Sequence, residues 1–465
     1  MDRKARLIGA SIVVLAIVAR AAAVLVLRTH DVPRSTYEHG EIAANLLAGK
    51  GFAIAFLGGD GPTSQQAPIY PVVVAAAYAI GGVETPRALL ILELSQAVLG
   101  GGLAWGVIRL AQQVAPGRFG VAVVAGLLAA LHPTLVYAAT HVQVAGLGAT
   151  LLVWTLVWAY RAGASGEAAD AAITGGFLAA TALTDPILAL GGLGIVWAYG
   201  QASGDRGRTV RLLICTLAVA LLGIAPWLAR NYRIHGEFVA IKSTFGYAFW
   251  QGNCRLSEGT DKVRRASAVD AIQDASDGPL SDLNRGLWRA RHIAGYIDDI
   301  ALTADDRRQL GRVTEPERSR ILFRRAVDDL KADPWRYPRL CLRRLRYFVF
   351  FDETNPKTWT LLYRVPHVGL TLLAIAGLIL ADPATHRRLV PTLVVAAAIA
   401  VFHALTIVSA RFHIPIEPMM AIWAGAGLSR WSLRPAQFLS AAGPHHVERV
   451  GIEGRFERVD VRRLD

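Results

Sequence analysis

The stretch Thr36–Pro71, TYEHGEIAANLLAGKGFAIAFLGGDGPTSQQAPIYP, differs from the sequence on either side of it. It is polar, rich in glycine and proline, and holds three carboxylates, at Glu38, Glu41 and Asp60. The segments that precede and follow it are apolar and long enough to enter a bilayer. A polar segment anchored between two membrane helices predicts an enzyme that works at the bilayer surface.

The composition of the 465-residue chain is that of a multi-pass membrane protein. Hydrophobic residues make up 53% of it, mean hydropathy is +0.36, and 18% of residues are charged, against about 25% in ordinary soluble proteins. The apolar residues form continuous blocks, several of which approach the roughly 20 residues of a spanning helix, whereas barrel strands alternate. We therefore expect an all-α polytopic membrane protein with about ten to eleven transmembrane helices.

Apolar blocks give the predicted membrane segments. These are Leu7–Leu27, Ile69–Ile80, Ala88–Ala111, Val121–Leu131, Leu135–Tyr160, Ala171–Tyr199, Leu212–Leu228, Val365–Ala381, Leu389–Ala410 and Pro415–Trp431. Asp185-Pro186 interrupts one block and His132-Pro133 separates two others, and we expect breaks there because proline lacks a backbone donor. Apolar sequence continues beyond Arg20, which favours a retained first helix over a cleaved signal peptide.

The distribution of basic residues orients the chain. The formal net charge is +13, and the basic residues cluster beside apolar blocks, as expected for membrane topology rather than nucleic-acid binding. This pattern predicts a protein of the cell inner (plasma) membrane with both termini in the cytoplasm. The predicted units are an N-terminal membrane module (1–230) with an outward first loop (28–68), an outward region (231–363), C-terminal membrane helices (364–432) with an outward turn (411–414), and a cytoplasmic tail (433–465).

The outward region 231–363 is too long and polar for a simple connector. A capping box of Thr314 and Glu317 predicts a helix over Glu315–Leu330. The basic and apolar stretch 338–350 reads as an amphipathic helix, which either lies at the headgroup level or packs on the membrane helices.

Cys254 and Cys341 could pair, but no cysteine or histidine spacing suits zinc. The sequence predicts no cofactor and leaves a divalent metal open.

Glu38 is the carboxylate best placed for chemistry. It lies in Tyr37–Leu47, which reads as a short helix that rests on the membrane through Ile42 and its neighbours and ends at Gly49 and Gly51. Such a helix presents a carboxylate just above the bilayer, where it can act as a general base.

Basic groups in the other outward segments complement this carboxylate. Arg230 and Arg233 follow one membrane segment, and Arg411 and His413 lie in the last outward turn. Arginine binds phosphate through a planar fork of donors. If these groups converge with Glu38, they suit a phosphate-bearing lipid and a hydroxyl group to be activated.

Several motifs in the outward segments together resemble those of GT-C glycosyltransferases, in order along most of the chain. They are Glu38-x-Gly40-x-Ile42-Ala43-x-x-Leu46-x-x-Gly49-x-Gly51-Phe52, Gly61-Pro62-Thr63 and Pro68-Ile69-Tyr70-Pro71 in the first loop, then Pro226-Trp227-Leu228-Ala229-Arg230-Asn231-Tyr232, Phe245-Gly246 through Trp250-Gln251-Gly252-Asn253, and Arg411-Phe412-His413-Ile414-Pro415-Ile416-Glu417-Pro418. The nearest likeness is to the family 39-like bacterial relatives of protein mannosyltransferases and lipid A aminoarabinose transferases.

The resemblance implies a GT-C bundle and a membrane enzyme of the cell envelope. Such an enzyme transfers a sugar from a polyprenyl-phosphate donor to an acceptor hydroxyl of a lipid, glycan or protein, outside the cytoplasm and with inversion. It implies Glu38 as the catalytic base, with Asp31 and Glu41 as alternatives. Residues implied to bind the donor phosphate are Arg230, Arg233 and Arg411, and those implied to bind substrate are Tyr70, Trp250, Asn253 and His413.

The sequence also departs from this family. Relatives often carry an acidic residue where Ser35-Thr36 stands and a second one where His141-Val142-Gln143 stands, and Asp185 replaces an Arg or Asn. Two other hypotheses therefore stay open: an inactive scaffold, and a transporter or flippase. Transport needs ionisable groups inside the membrane, for which Glu93 and His403 are the main candidates.

Overall fold

The computed structural model describes residues 3–33, 36–202, 204–264, 268, 270, 272 and 278–431, and the predicted cytoplasmic tail lies outside them. The described chain is mostly helical. Its helices are α1 (Arg3–Leu27), α2 (Tyr37–Leu47), α3 (Ile69–Gly81), α4 (Pro86–Val114), α5 (Phe119–Leu131), α6 (Pro133–Tyr137), α7 (Val144–Ser165), α8 (Ala168–Ala182), α9 (Gly191–Ala202), α10 (Arg206–His235), α11 (Phe245–Asn253), α12 (Leu280–Ala294), α13 (Ile297–Ala301), α14 (Ala304–Gly311), α15 (Glu315–Ala332), α16 (Arg336–Val349), α17 (Leu361–Leu380), α18 (Pro383–Leu405) and α19 (Glu417–Trp431). Short 3-10 helices cover Thr29–Asp31, Pro186–Leu190, Pro356–Trp359 and Ile414–Ile416.

Long apolar helices make this a membrane protein. Within the described residues, α1, α4, α7, α10, α17 and α18 are each long and apolar enough to cross a bilayer. Shorter apolar helices cover Ile69–Gly81, Phe119–Leu131, Ala168–Ala182, Pro186–Ala202 and Ile414–Leu428. The polytopic all-α class predicted from composition is confirmed, while the number of helices that cross stays a prediction.

The bundle has a close-packed interior and an apolar outside. Val107 of α4, Ala125 of α5 and Leu156 of α7 are fully buried in one continuous core. On the outside, Leu222 and Ile214 of α10 are 72% and 62% exposed. Exposed aliphatic side chains on a long helix cost free energy in water but none against lipid tails, so this face of α10 is expected to contact lipid.

Arg20 lies fully buried in the middle of α1, which is one continuous helix. Its guanidinium donates hydrogen bonds to the carbonyls of Ala130 (2.8 Å), Ala129 (3.0 Å) and Ala16 (3.1 Å). Two of these carbonyls end α5, where the last turn lacks helical partners and favours positive charge. Arg20 therefore joins α1 to the end of α5, which explains a charge inside an apolar block.

Prolines divide the bundle where the sequence predicted. Asp185-Pro186 separates α8 from α9, and His132-Pro133 separates α5 from α6. The expected continuous segment Leu135–Tyr160 is wrong, because residues 138–143 between α6 and α7 are not helical. Helix α10 continues through Pro226 to His235, seven residues beyond the expected end, because its last turns pack on polar segments of the chain.

The region between α10 and α17 is a small helical layer. Helix α15 begins and ends close to its predicted bounds, but the capping box is wrong, since Thr314 caps nothing and Glu317 pairs with Arg320 at 2.6 Å. One face of the amphipathic helix α16 packs on α18, and Leu342 on another face is 70% exposed, while its position at the headgroup level stays a prediction. The described cysteines are all free thiols.

Replacing Arg20 by alanine should destabilise the protein by roughly 2–4 kcal/mol, because the change removes three charge-assisted hydrogen bonds and leaves a cavity. Thermal unfolding of the detergent-solubilised protein measures the effect. Arg87→Ala changes an exposed arginine at the start of α4 and should stay within about 0.5 kcal/mol of wild type. Equal melting temperatures for the two variants would contradict the role given to Arg20.

Candidate active site

A cavity of about 710 Å³ lies where the three predicted outward segments meet. Its wall comes from α2 and the loop that follows, from residues 240–261 and 296–307, from the end of α18 with the turn after it, and from the break at Asp185-Pro186. Its charged lining residues are Glu38, Glu41, Asp185, Lys242, Asp261, Asp298, Arg307 and Arg411. The structure thus places Glu38 and Arg411, more than 370 residues apart in sequence, on one wall.

The loop after α2 is held in place by two charged residues from distant helices. Arg230 of α10 donates to the carbonyls of Phe52 (3.0 Å) and Thr63, and lies 4.5 Å from the Trp227 ring centroid. Glu315, the first residue of α15, accepts from Thr63 Oγ1 and from the Ser64 amide at 2.8 Å. We call these contacts the Arg230–Glu315 clamp. Because it fixes residues 52–64, it fixes one wall of the cavity.

Glu38 lies in the first turn of α2, as the sequence predicted. Glu38 lines the cavity together with His39 and Glu41, while Ile42 and Ala43 of the same helix are fully buried and anchor it. The preceding Tyr37 has a left-handed φ of 48°, a strained conformation for a tyrosine, and its ring stacks on Trp288. Within the described part of the chain the Glu38 carboxylate makes no hydrogen bond or ion pair. It is therefore free to accept a proton from a ligand.

The two alternative bases are already engaged. The Glu41 carboxylate also faces the cavity, but its Oε1 accepts the Ala55 amide at 2.8 Å and so ties α2 to the next loop. Asp31 forms an exposed ion pair with Arg28 at 2.8 Å and does not line the cavity. Geometry therefore favours Glu38 over both.

Arg411 is the cation that faces the cavity from the turn before α19. Among described residues its guanidinium makes no hydrogen bond or ion pair, and its recorded ring contact is with Phe412, 5.6 Å from the centroid. Its positive charge helps to lower the pKa of three lysines, Lys242, Lys262 and Lys357. The turn thus places the Arg411 guanidinium, which is unpaired among the described residues, close enough to these lysines to affect their charge.

Lys242 and Asp185 are cavity residues that were not predicted from the sequence as part of the site. Lys242 donates to Gln66 Oε1 at 3.0 Å. Burial lowers the pKa of Lys242, as does Arg411, while the charges of Asp185 and Glu38 raise it. Lys242 therefore lies within electrostatic reach of both carboxylates. Asp185 could have been predicted as a site residue, because a charged residue beside a proline inside an apolar block is unusual. Lys242 lies among many polar residues, so its local sequence does not distinguish it.

Lys262 and Lys357 extend the positive region away from Glu38. Burial, with help from Arg291 and Arg411, lowers the pKa of Lys262 to about 8 and that of Lys357 to about 7. A second, apolar groove of about 460 Å³ lies between α1, α6, α12 and the start of α17. Among the described residues, Lys357 is the charged residue that lines it. The groove therefore ends beside the cations that surround Arg411.

The remaining predicted site residues are not on the cavity wall. Arg230 belongs to the clamp, and Arg233, one turn further along the same helix, is exposed. Tyr70 is buried, donates to Gln96 at 2.7 Å and accepts the Gln143 amide at 2.6 Å. These contacts bind α3 to α4 and to the start of α7, which makes Tyr70 a support beneath the cavity in this structure.

Trp250, Asn253 and His413 are buried as well. Trp250 packs in the core of the helical layer, and Asn253 bonds to the carbonyls of Phe249 and Thr406 and to Arg344. His413 follows Arg411 by two residues but turns inward, to within 3.0 Å of Glu417. The structure thus brings together Glu38, Glu41 and Arg411 from the predicted set.

No family model and no curated protein matches the sequence. Several solved protein structures do match. The apo oligosaccharyltransferase of Archaeoglobus fulgidus has a TM-score of 0.53 at 17% identity, over 93% of this chain and 52% of that one. The same enzyme tethered to an acceptor peptide with an NVT sequon gives 0.52 at 15% identity, over 93% and 50%.

This chain has the GT-C fold. ArnT from Cupriavidus metallidurans bound to undecaprenyl phosphate also matches, with a TM-score of 0.40 at 16% identity, over 93% of this chain and 81% of that one. The archaeal oligosaccharyltransferase is a GT-C glycosyltransferase, so the GT-C resemblance read from the sequence is confirmed at the level of the fold. The chain spans about half the length of the archaeal oligosaccharyltransferase structures that it matches.

Replacing Arg230 by alanine should loosen the loop after α2, since three of its backbone and side-chain partners lose a donor. We expect cleavage within residues 52–66 by limited proteolysis and a loss of roughly 2–4 kcal/mol of stability. Arg233→Ala, three residues on and exposed, should change neither. If the loop stays protected in the Arg230→Ala protein, the Arg230 guanidinium does not hold the loop. The guanidinium would then be available to bind a phosphate.

Proposed function

We propose that this protein is a glycosyltransferase that moves a sugar from a polyprenyl-phosphate donor to an acceptor hydroxyl. We place the reaction on the extracytoplasmic side of the plasma membrane, with inversion at the anomeric carbon. The observation that carries the proposal is one cavity holding an unpaired carboxylate, Glu38, and an unpaired guanidinium, Arg411. The GT-C fold supports the same class of reaction.

Glu38 is the general base of this mechanism. Its carboxylate takes the proton of the acceptor hydroxyl as the acceptor oxygen forms its bond to the anomeric carbon. The bond from the anomeric carbon to the donor phosphate breaks, and the polyprenyl phosphate leaves with the electron pair. The positive charge of Lys242 lies within electrostatic reach of the Glu38 and Asp185 carboxylates.

Arg411 and its neighbouring lysines stabilise the leaving phosphate. Negative charge builds up on the phosphate as the bond breaks, and fixed cations in a half-buried cavity stabilise it more than water does. Arg411 is free to bind it as a planar fork, and Lys262 and Lys357 lie within reach of its charge. The proposal therefore keeps Arg411 from the predicted phosphate ligands and gives Arg230 the task of holding the loop.

The apolar groove next to Lys357 suits the prenyl tail of the donor. It is lined by aliphatic residues of α1 and α12, among them Val26 and Leu283, and opens beside the same cations. Each buried methylene of a lipid tail contributes about 0.8 kcal/mol, so the tail supplies affinity and the cations fix the phosphate.

Transport has less support in this structure. Glu93, the clearest intramembrane carboxylate, is buried against His30 at 2.8 Å. His403 bonds to the carbonyl of Ile407 at 2.9 Å. A transporter needs ionisable groups that can exchange partners with a substrate, and both of these already have a partner within the bundle.

Glu38→Gln keeps the shape of the side chain and removes its basicity, so transfer should fall by about 10²- to 10⁴-fold. The assay follows release of polyprenyl phosphate by mass spectrometry from a panel of polyprenyl-phosphoryl sugars with envelope lipids as acceptors. Asp31→Asn and Glu41→Gln are matched controls that replace the other acidic residues of the first segment. Both should keep most of the activity, since Asp31 lies off the cavity and glutamine can still accept the Ala55 amide.

Turnover that survives in Glu38→Gln would remove Glu38 from the mechanism. Asp261 is then the rival to test, because one of its carboxylate oxygens is buried on the same wall without a hydrogen bond among described residues. An Asp261→Asn protein that loses activity while Glu38→Gln retains it would move the base to that position.

Donor affinity should fall as pH rises above about 7, if the lysines bind the phosphate. A phosphodiester donor keeps its charge between about pH 6 and 9, while Lys357, with a pKa of about 7, loses its proton in the free protein. Binding needs the protonated lysine, so affinity should be flat below pH 7 and fall by up to about tenfold per unit above it. Equilibrium binding of a polyprenyl-phosphoryl sugar at several pH values measures this.

Lys357→Arg is the informative variant, because arginine stays charged throughout and should flatten the pH dependence. Lys331→Arg, an exposed lysine of α15 paired with Asp328, should leave the wild-type slope. An unchanged slope in Lys357→Arg would exclude Lys357 as the titrating group.

A further inference from the structure

A second cluster of ionisable side chains lies inside the bundle, apart from the cavity. It consists of His132 at the break between α5 and α6, His367 in α17, His413 in the turn before α19, and Glu417, the first residue of α19. All four are buried, with 6%, 1%, 1% and 0% of their surface exposed. None of them lines the cavity, and three separate parts of the chain supply them.

The Glu417 carboxylate is the centre of the cluster. Its Oε1 lies 3.0 Å from His413 Nδ1 and 3.3 Å from His367 Nδ1, and its Oε2 lies 3.5 Å from His132 Nδ1. Ligand atoms of His367, His413 and Glu417 all fall within 4.8 Å of one another. Tetrahedral zinc with bonds near 2.0–2.1 Å separates its ligands by about 3.3–3.5 Å. The distances from Glu417 to the three histidines are close to that spacing, and the histidine nitrogens would draw closer to one another around an ion.

The tautomers of two histidines follow from their other contacts. His132 Nε2 lies 3.2 Å from the Pro366 carbonyl, which can only accept, so Nε2 carries the proton. The Tyr363 hydroxyl donates to the Ala410 carbonyl at 3.3 Å, so His413 Nε2 donates to that hydroxyl. In both rings Nδ1 is then left with a lone pair facing Glu417. A second-shell donor bond of this kind is how metal-binding histidines are usually oriented.

This arrangement leaves four buried atoms without a hydrogen bond among the described residues: His132 Nδ1, His367 Nε2, His413 Nδ1 and Glu417 Oε2. Lone pairs on nitrogen and on a carboxylate repel at these distances unless a cation lies between them, and an unpaired buried carboxylate is costly. One protonated histidine would neutralise Glu417 but would leave the other lone pairs unmet. A divalent ion beside Glu417 satisfies His132 Nδ1, His413 Nδ1 and Glu417 Oε2 together.

We propose that His132, His367, His413 and Glu417 form a binding site for a divalent transition metal ion of the zinc class. Three imidazoles and one carboxylate are ligands that zinc prefers, and a closed, buried set of four is typical of a structural site. The ion ties the start of α19 to α17 and to the end of α5. It also holds the turn 411–416, and with it the position of Arg411 at the cavity.

Metal content of the purified full-length protein tests this proposal directly. After incubation with Zn²⁺ and desalting in detergent, wild type should keep about one zinc per chain by inductively coupled plasma mass spectrometry. Folded His413→Gln and Glu417→Gln proteins should keep less than about a tenth of that, since each loses a ligand. Co²⁺ loaded in place of zinc should give the visible absorption of a four-coordinate site in wild type and lose it in both variants.

His30→Gln is the matched control. His30 and buried Glu93 form a histidine–carboxylate hydrogen bond at 2.8 Å that involves no second histidine among the described residues, so its loss removes a contact of the same kind but no metal ligand. This variant should keep the zinc of wild type. Loss of zinc in His30→Gln as complete as in His413→Gln would show a general effect of mutation and would count against the site.

Wild type that holds less than about a tenth of a zinc per chain would overturn the proposal. Hydrogen bonds from protonated histidines to Glu417 would then hold the cluster together. Full zinc retention in folded His413→Gln and Glu417→Gln would place the metal elsewhere and overturn it as well. If those two variants do not give folded protein, His132→Gln decides, because it removes the most distant ligand. A zinc affinity at least about tenfold weaker by chelator competition supports the site, and an unchanged affinity refutes it.

Discussion

The Arg230–Glu315 clamp is the interaction on which the candidate site depends. It joins the loop after α2 to the end of α10 and the start of α15, and the loop has little other regular structure to hold it. Its backbone carbonyls and amides at the edge of an apolar bundle need partners, and the two charged side chains supply them. Without these contacts α2 would still form, but the loop would lose the charged contacts that join it to α10 and α15.

Local features of the site could be predicted from the sequence. Helix α2 has its predicted bounds, Gly49 and Gly51 end it with positive φ values of 75° and 74°, and the breaks at His132-Pro133 and Asp185-Pro186 lie where expected. These features depend on a few neighbouring residues, namely an apolar face, a glycine or a proline, so a single sequence carries enough information. Apolar block length gave the membrane class for the same reason.

Contacts between distant residues could not be predicted in this way. Arg230 and Glu315 meet the same loop across 167 and 252 residues, and nothing in either local sequence separates a guanidinium that binds backbone from one that binds phosphate. The capping box failed similarly: Thr314 and Glu317 have the right spacing, but Glu317 lies within reach of Arg320 and takes that partner instead. Tertiary contacts override a local preference worth about 1 kcal/mol.

Charged groups without a protein partner indicate where the protein binds a ligand of opposite charge. Most buried charges here have a partner: Arg20 has carbonyls, Glu93 has His30, and Arg230 has the loop. Around Arg411, by contrast, burial and the charges of Arg291 and Arg411 lower the pKa of Lys262 and Lys357, which means that the charged form of each lysine is destabilised. A protein that keeps such a group half-buried loses stability unless an anion binds there. Phosphate, with its charge spread over several acceptor oxygens, relieves this repulsion more fully than a single carboxylate can.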